Sequence, residues 1–377
     1  MSRMRNVGVA VTALGVVGYG SGVFVRVSRA CVLPNRAHDR YYTLGHRRRH
    51  VISALVYGDG GVTTYPAEEL AAARDADGTT WVRATAEADF DRVADKFGIH
   101  PLSVEDIRND ARPKTEEYLD YTFVLVRIAT LRKGDQPFEE EVLTRPVGLC
   151  FGDDWLVTFT RRELSPIDHV WDAIEREEQR MLRFGPDFVA SRVVDRIVDG
   201  YFDLLDEVGE EIETIEDAVF EGTDQSVLEG LNAVRRDLLS FRKTVWPTRE
   251  AAAVLARGDP EFVRQPTEKY YRDVYDHLVE LVDLTETYRD LARGTREMYL
   301  NTLSQSTNEV MKTLTVVATI ILPLTFVVGV YGMNFDPAAS SFNMPELGWR
   351  YGYLATMLGM AGVAGILLVY FRREGWL

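Results

Sequence analysis

Two apolar runs, Leu314–Tyr331 and Tyr351–Phe371, lie near the C-terminal end of this sequence. Each is about 18–21 residues long, enough for a helix rising 1.5 Å per residue to cross a ~30 Å hydrocarbon core. A short polar loop joins them and opens with Tyr331-Gly332-Met333-Asn334-Phe335. The stretch from about residue 30 to residue 310 reads as water-soluble. The chain therefore divides into a large soluble part and a two-span membrane part, which points to transport and away from catalysis.

The soluble part sets its own limits. At 377 residues the chain has room for two or more domains. Its 58 acidic residues outnumber 43 basic ones, for a formal net charge of −15, so a nucleic-acid partner is not expected. Cys31 and Cys150 stand far apart and form no motif, so a reduced setting is the default. Val7–Val25 is apolar but holds five glycines and is flanked by Arg3, Arg5, Arg26 and Arg29. It reads as a poorly ordered extension, with a signal-like region or a third span as alternatives.

Along residues 51–186, short β-rich runs alternate with helix-like pieces, the pattern of an α/β layer. The runs are Val51–Tyr57, Trp81–Ala84, Tyr121–Leu131, Val147–Cys150 and Trp155–Thr160. Ala88–Phe97 and Pro101–Asp106 read as helices entered through proline. Gly58-Asp59-Gly60-Gly61 reads as a turn. From 187 to 266 an αα-hairpin is expected, Phe188–Phe220 and Ser226–Ala256, with an acidic first helix. From Thr267 to about Asn334 one helix of roughly 100 Å can run unbroken. Its part to 311 would be a stalk, and 312–334 the first span. An outer loop (335–350), a second span (351–371) and a basic tail (372–377) follow. The fold class expected is an α+β membrane protein with an N-terminal α/β domain.

Within the first span one face is unusual. Steps of three and four from Asn308 give Asn308, Met311, Thr315, Ala318, Leu322, Thr325, Gly329 and Gly332, the seven-residue period of a bundle seam. Its members are small or weakly polar, while Val316, Val317, Ile320, Ile321, Phe326 and Val327 lie on other faces. Close helix packing through small residues explains this; a water-filled path explains it equally well. Pro323 suits both, because it frees the carbonyl of Thr319. No Asp, Glu or His lies on the seam. Neutral amide and hydroxyl oxygens accept hydrogen bonds from a hydrated cation without stripping it, which suits Mg²⁺, an ion that dehydrates reluctantly. A ring of Asn334 amides at the outer mouth needs several chains around one axis.

Tyr331-Gly332-Met333-Asn334, with Met344-Pro345-Glu346-Leu347 downstream and the tail Arg372-Arg373-Glu374-Gly375-Trp376-Leu377, resembles the CorA-type magnesium channels. Asn308-Glu309-Val310-Met311-Lys312 and Pro323-Leu324-Thr325-Phe326 look like that family's pore helix, and Tyr271–His277 like its stalk. Phe97–Leu102 with Glu105-Asp106-Ile107 looks like its regulatory segment, and Lys243–Pro247 like the end of its hairpin. The resemblance covers about residues 75–377; residues 1–50 have no counterpart. It implies a homopentamer in the cell membrane, with both termini cytoplasmic. It implies Mg²⁺ as transported and regulatory ion, with Co²⁺ and Ni²⁺ as further candidates and no organic cofactor. Gly332, Met333 and Asn334 would be the selectivity filter. Asn308, Met311, Leu314, Thr315, Ala318, Leu322, Thr325 and Gly329 would line the pore, and Glu346 would mark the outer loop. Zinc-moving relatives carry a variant tripeptide, so Met333 favours the magnesium branch. The insert Asp336–Phe342 departs from the family pattern.

The same resemblance implies that Mg²⁺ between neighbouring soluble domains holds the channel closed. The matching positions are Glu105 and Asp106, facing Asp273 of the next subunit, with Asp195 and His277 nearby. Read alone, each Asp fits a solvent-exposed residue or a salt bridge to Arg108 or Arg272. The acidic run Asp203, Asp206, Glu207, Glu210, Glu211, Glu213, Glu216 and Asp217 fits either a cation-concentrating surface or a solvated helix face. Lys312, Arg372 and Arg373 obey the positive-inside rule. A tethered scaffold has no need for Thr315, Thr325 and Asn334 on one seam. An anchored enzyme would need a nucleophile–base pair, metal-ligand spacing or a phosphate loop; none is evident, and His100, His169 and His277 read as isolated.

Overall fold

The computed structural model describes residues 52–58, 60–132, 141–222, 225–333, 335–336, 340 and 342–376. The apolar segment Val7–Val25 and Cys31 lie outside them. The soluble part is organised by one seven-stranded sheet in the order β2-β1-β3-β7-β6-β5-β4. Its strands are β1 (Ile52–Gly58), β2 (Gly61–Tyr65), β3 (Thr79–Ala84), β4 (Lys114–Glu117), β5 (Thr122–Arg132), β6 (Glu141–Phe151) and β7 (Trp155–Phe159). All neighbours pair antiparallel except β3 and β7, which are parallel. A short helix α1 (Leu70–Arg74) precedes β3; the parallel pair requires a long crossover, and the segment between its strands supplies α2 (Phe90–Phe97), α3 (Pro101–Arg108) and the β4–β6 meander.

Both faces of the sheet are covered, so its central strands are apolar throughout. Phe123 and Leu125 of β5 join a core with Phe90, Val93, Val104 and Ile107 from α2 and α3. Val124, Val126 and Ile128 point the other way. There they meet α4 (Ser165–Glu175) and, after the one-turn α5 (Gln179–Leu182), α6 (Pro186–Glu221) and α7 (Gln225–Ala256), through Trp171, Val193, Ile197, Tyr201 and Phe241. The hydroxyl of Tyr201 donates to the carbonyl of Arg127, fixing α6 on β5. A side chain at Gly148 of β6 would run into Ile107, so this glycine lets α3 settle on the sheet.

The sequence missed β2 and β4 and found only the second half of β6. β2 and β4 are edge strands of polar composition, GVTTY and KTEE, which carry no alternating apolar signal. β6 begins with the polar stretch Glu141–Pro146. The glycine turn proves to be the hairpin loop between β1 and β2, with Gly58 paired to Gly61. Of the two helices read as proline-entered, only α3 is; α2 follows a 3-10 turn, Glu87–Asp89, with no proline.

Helix α8 runs from Gln265 to Tyr331, 67 residues without a break. Its buried residues in the soluble part include Tyr271, Val274, Leu278, Leu281, Thr285, Ala292, Thr295 and Tyr299. Their three-and-four spacing keeps one stripe against α6 and α7. Past Tyr299 this cover stops. Leu303, Val310, Met311 and Leu314 are exposed. The C-terminal half of α8 and the final helix α9 (Gly352–Arg373) are each long and apolar enough to cross a membrane.

Candidate functional site: an open helix seam and an acidic cluster

The two spans touch through a defined face of each. On α9 the covered residues are Gly352, Thr356, Met360, Ala364, Leu367 and Phe371. On α8 they are Lys312, Val316, Ile320, Pro323, Leu324, Val327 and Tyr331. At 3.6 residues per turn, this face of α8 lies roughly 160° around the helix from the seam read in the sequence. Asn308, Met311, Leu314, Thr315, Ala318, Leu322, Thr325, Gly329 and Gly332 are all exposed. The chain's own second span thus covers α8 from behind and leaves the seam free.

The seam presents acceptors. The hydroxyls of Thr315 and Thr325 donate to the carbonyls of Met311 and Ile321, at 2.8 and 3.0 Å. With the proton spent inside the helix, each oxygen turns only lone pairs outward, which can accept from water on a cation. Between them Leu322 is 69% exposed, an apolar step in the row. At the C-terminal end of α8 the amide of Gly332 donates to the carbonyl of Val328, which ends the helix, and Met333 follows exposed. Asn334 lies outside the described residues, as does the side chain of Glu346. Beyond α8, the side-chain amide of Asn343 donates to the carbonyl of Asp336 at 2.8 Å.

The soluble part brings some of the expected ligands together. Carboxylate oxygens of Asp195 and Asp199 and a ring nitrogen of His277 lie within 4.8 Å of one another. Asp195 and Asp199 are one turn apart on α6, and His277 faces them from α8. Asp199 was not picked from the sequence, although the i,i+4 spacing from Asp195 carries the signal. Nor is His277 isolated, because the α6–α8 packing supplies its partners. Its Nδ1 is buried with no hydrogen-bond partner among the described residues. Asp195 is only 8% exposed. Burial pushes its carboxyl up, Arg192 at 2.7 Å opposes this, and Asp199 and Asp273 add to the rise.

The remaining candidates stand apart within one chain. Glu105 is exposed and accepts from the Asn109 amide at 3.4 Å. Asp106 is half-buried, and its cation is neither Arg108 nor Arg272 but Lys114, at 2.7 Å. Arg108 instead pairs with Glu87 and Asp91. Asp273 is exposed. His100 is structural: its Nδ1 accepts from the amide of Leu102 and caps α3. In the acidic run of α6, Asp203, Asp206, Glu210, Glu213 and Asp217 are exposed, while Glu216 turns inward and accepts from Thr295 at 2.7 Å.

Known proteins resemble this chain in sequence and fold. A family model described as CorA-like Mg2+ transporter protein matches residues 76–373. The cobalt/magnesium transport protein CorA of Thermotoga maritima is 36% identical over 318 residues, 83% of this chain and 88% of the relative. The putative metal ion transporter YfjQ of Bacillus subtilis is 33% identical over 283 residues, 75% and 84% of the two chains. Among solved structures, the complete CorA magnesium transporter of Methanocaldococcus jannaschii superposes with a TM-score of 0.72 at 23% identity, covering 87% of this chain and 99% of that one. With a soluble α/β unit, one helix running from it into the first apolar span and a second apolar helix behind, and with these matches in sequence, the chain belongs to the CorA-like Mg²⁺ transporter family.

Proposed function

We propose that this chain is one subunit of a homopentameric channel in the cell membrane that admits Mg²⁺ with its hydration shell, and Co²⁺ and Ni²⁺ as further substrates. The observation that carries this reading is the free seam of α8, opposite the face that α9 covers. Two spans cannot enclose an aqueous path, so copies must share an axis, and the uncovered face is the one to line it. Thr315 and Thr325 would accept from the ion's waters, and Asn334 amides would ring the outer mouth. Binding by neutral oxygens is weak enough for release, which conduction requires. The Thermotoga relative is named a cobalt/magnesium transport protein, and this supports the same ions here over zinc.

Mg²⁺ also closes the channel from the inside. It would be held by Glu105 and Asp106 with Asp273 of the partner subunit, and by Asp195, Asp199 and His277. The second set fits a divalent cation: two carboxylates and an imidazole nitrogen lie within 4.8 Å of one another. Its imidazole also suits Co²⁺ and Ni²⁺. An ion shared between subunits stabilises the packed, closed ring by mass action.

The test is ²⁸Mg²⁺ and Ni²⁺ uptake into vesicles reconstituted with the full chain, with mutual ion competition. Uptake by the wild type and its loss in Asn334→Ala, with the oligomer intact by gel filtration, is the expected outcome. Wild-type uptake by Asn334→Ala overturns the filter assignment. No uptake by the wild type at any Mg²⁺ concentration overturns the channel.

A further inference from the structure

Lys114 is the first residue of the edge strand β4, and its ammonium sits between two carboxylates. Nζ lies 2.7 Å from Oδ2 of Asp106 on α3 and 2.7 Å from Oε1 of Glu116 on its own strand. The ammonium is also 6.0 Å from the ring centre of Phe123, so its stem is laid along the sheet. All three side chains are neither fully buried nor free, between 27% and 40% exposed. Glu105, the residue before Asp106, pairs with no cation among the described residues and accepts from the Asn109 side-chain amide.

From this geometry we infer that Lys114 is a tethered competitor for the Asp106 carboxylate, which sets how much free divalent cation is needed to lock the soluble ring. The inference rests on the reading of Asp106 as a regulatory ligand. An ammonium at 2.7 Å occupies the approach to Oδ2 that a metal ion would use, and two cations on one carboxylate repel. The tether keeps the ammonium beside Asp106 at a fixed, high effective concentration, so a freely diffusing ion must displace it. Glu116 makes that displacement possible without stranding a charge. When the ammonium leaves Asp106 it keeps Glu116, two residues along the same strand. The triad is thus a balance: Asp106 and Glu116 share one fixed cation, and the arriving ion takes Asp106 from it.

This balance predicts shifts of opposite sign from two neighbouring residues. Lys114→Met removes the competitor, and should lower the Mg²⁺ concentration that half-protects the 260–300 region of the full chain from protease. A partly exposed pair sets the scale at about two- to fivefold. Glu116→Gln leaves the ammonium with Asp106 alone, and should raise the same midpoint. Melting of each variant without Mg²⁺ shows whether the fold survives; if Lys114→Met does not fold, Glu116→Gln still decides by its sign. Asp106→Asn should abolish protection in every background. If Asp106→Asn does so but the Lys114→Met midpoint stays put or rises, or Glu116→Gln lowers it, the competition is wrong and the regulatory site stands. If Asp106→Asn keeps the wild-type midpoint, the regulatory reading of Asp106 fails, and the competition falls with it.

Discussion

The ammonium of Lys312 donates to the carbonyl of Gly375 at 2.6 Å and lies 5.7 Å from the ring centre of Trp376. Lys312 stands at the foot of the first span, while Gly375 and Trp376 follow the second. Gly375 adopts φ +69°, which folds the chain back, and Trp376 stacks on Phe371 with ring centres 5.7 Å apart. The tail therefore ties the adjoining ends of the two apolar helices together. Trp376→Ala removes both the cation–π contact and the stack, worth about 1 kcal/mol together. Detergent-solubilised protein should melt ~2 °C lower, and Trp376→Phe should lose less. Unchanged melting in Trp376→Ala would mean that the tie adds no stability.

Leu322 is the test of a hydrophobic step in the proposed pore. It is exposed in the single chain and stands between Thr315 and Thr325. A ring of leucines excludes water and gates by dewetting. Leu322→Ser should keep the path wet and raise ion flux even at high internal Mg²⁺, with Leu322→Ala showing a weaker gain. Because α9 does not cover this position, neither change opens a cavity within one chain. If flux does not rise and pentamer melting falls, Leu322 packs between subunits and the gate lies elsewhere.

Asn334→Asp would change the proposed outer ring from neutral to anionic. Divalent ions should then bind more tightly at the mouth and leave more slowly. Uptake at saturating Mg²⁺ should fall while the concentration for half-maximal uptake also falls. Faster uptake with unchanged ion preference would contradict a role in which modest affinity limits conduction.

Asp237 offers a pH test away from the membrane. It is 6% exposed on α7, and Oδ1 accepts from the amide of Val142 at 3.1 Å. Oδ2 is buried with no hydrogen-bond partner among the described residues. Burial raises its carboxyl above the usual range; the Val142 amide and Arg236 oppose this, and Glu141 adds to it. A raised carboxyl binds more protons folded than unfolded, so stability is greatest below the unfolded value near 3.9 and declines as pH rises through the folded value. Asp237→Asn keeps the acceptor and removes that loss. It should raise stability at pH 7 by about 1 kcal/mol and change little at pH 4. Equal effects at both pH values would exclude the charge as the cause.

What the sequence determined was whatever repeats along the chain or depends on length alone. Two apolar runs of spanning length, the long stretch without proline between Pro266 and Pro323 that becomes most of the single helix Gln265–Tyr331, and the small-residue seam were all legible, because helices obey period and length. The α6–α7 hairpin was legible for the same reason. The rest needed the third dimension. Edge strands β2 and β4 have too few apolar residues to announce themselves, and only pairing with β1 and β5 makes them strands. His277 looks isolated in sequence because its partners Asp195 and Asp199 lie about eighty residues away, brought close when the α8 stripe packs on α6. Which cation holds Asp106 was equally hidden. Arg108 is nearer along the chain, but on α3 it turns toward Glu87 and Asp91, and β4 carries Lys114 to Asp106 instead. Charge pairing follows distance in space, and the sheet edge, not the sequence, sets that distance.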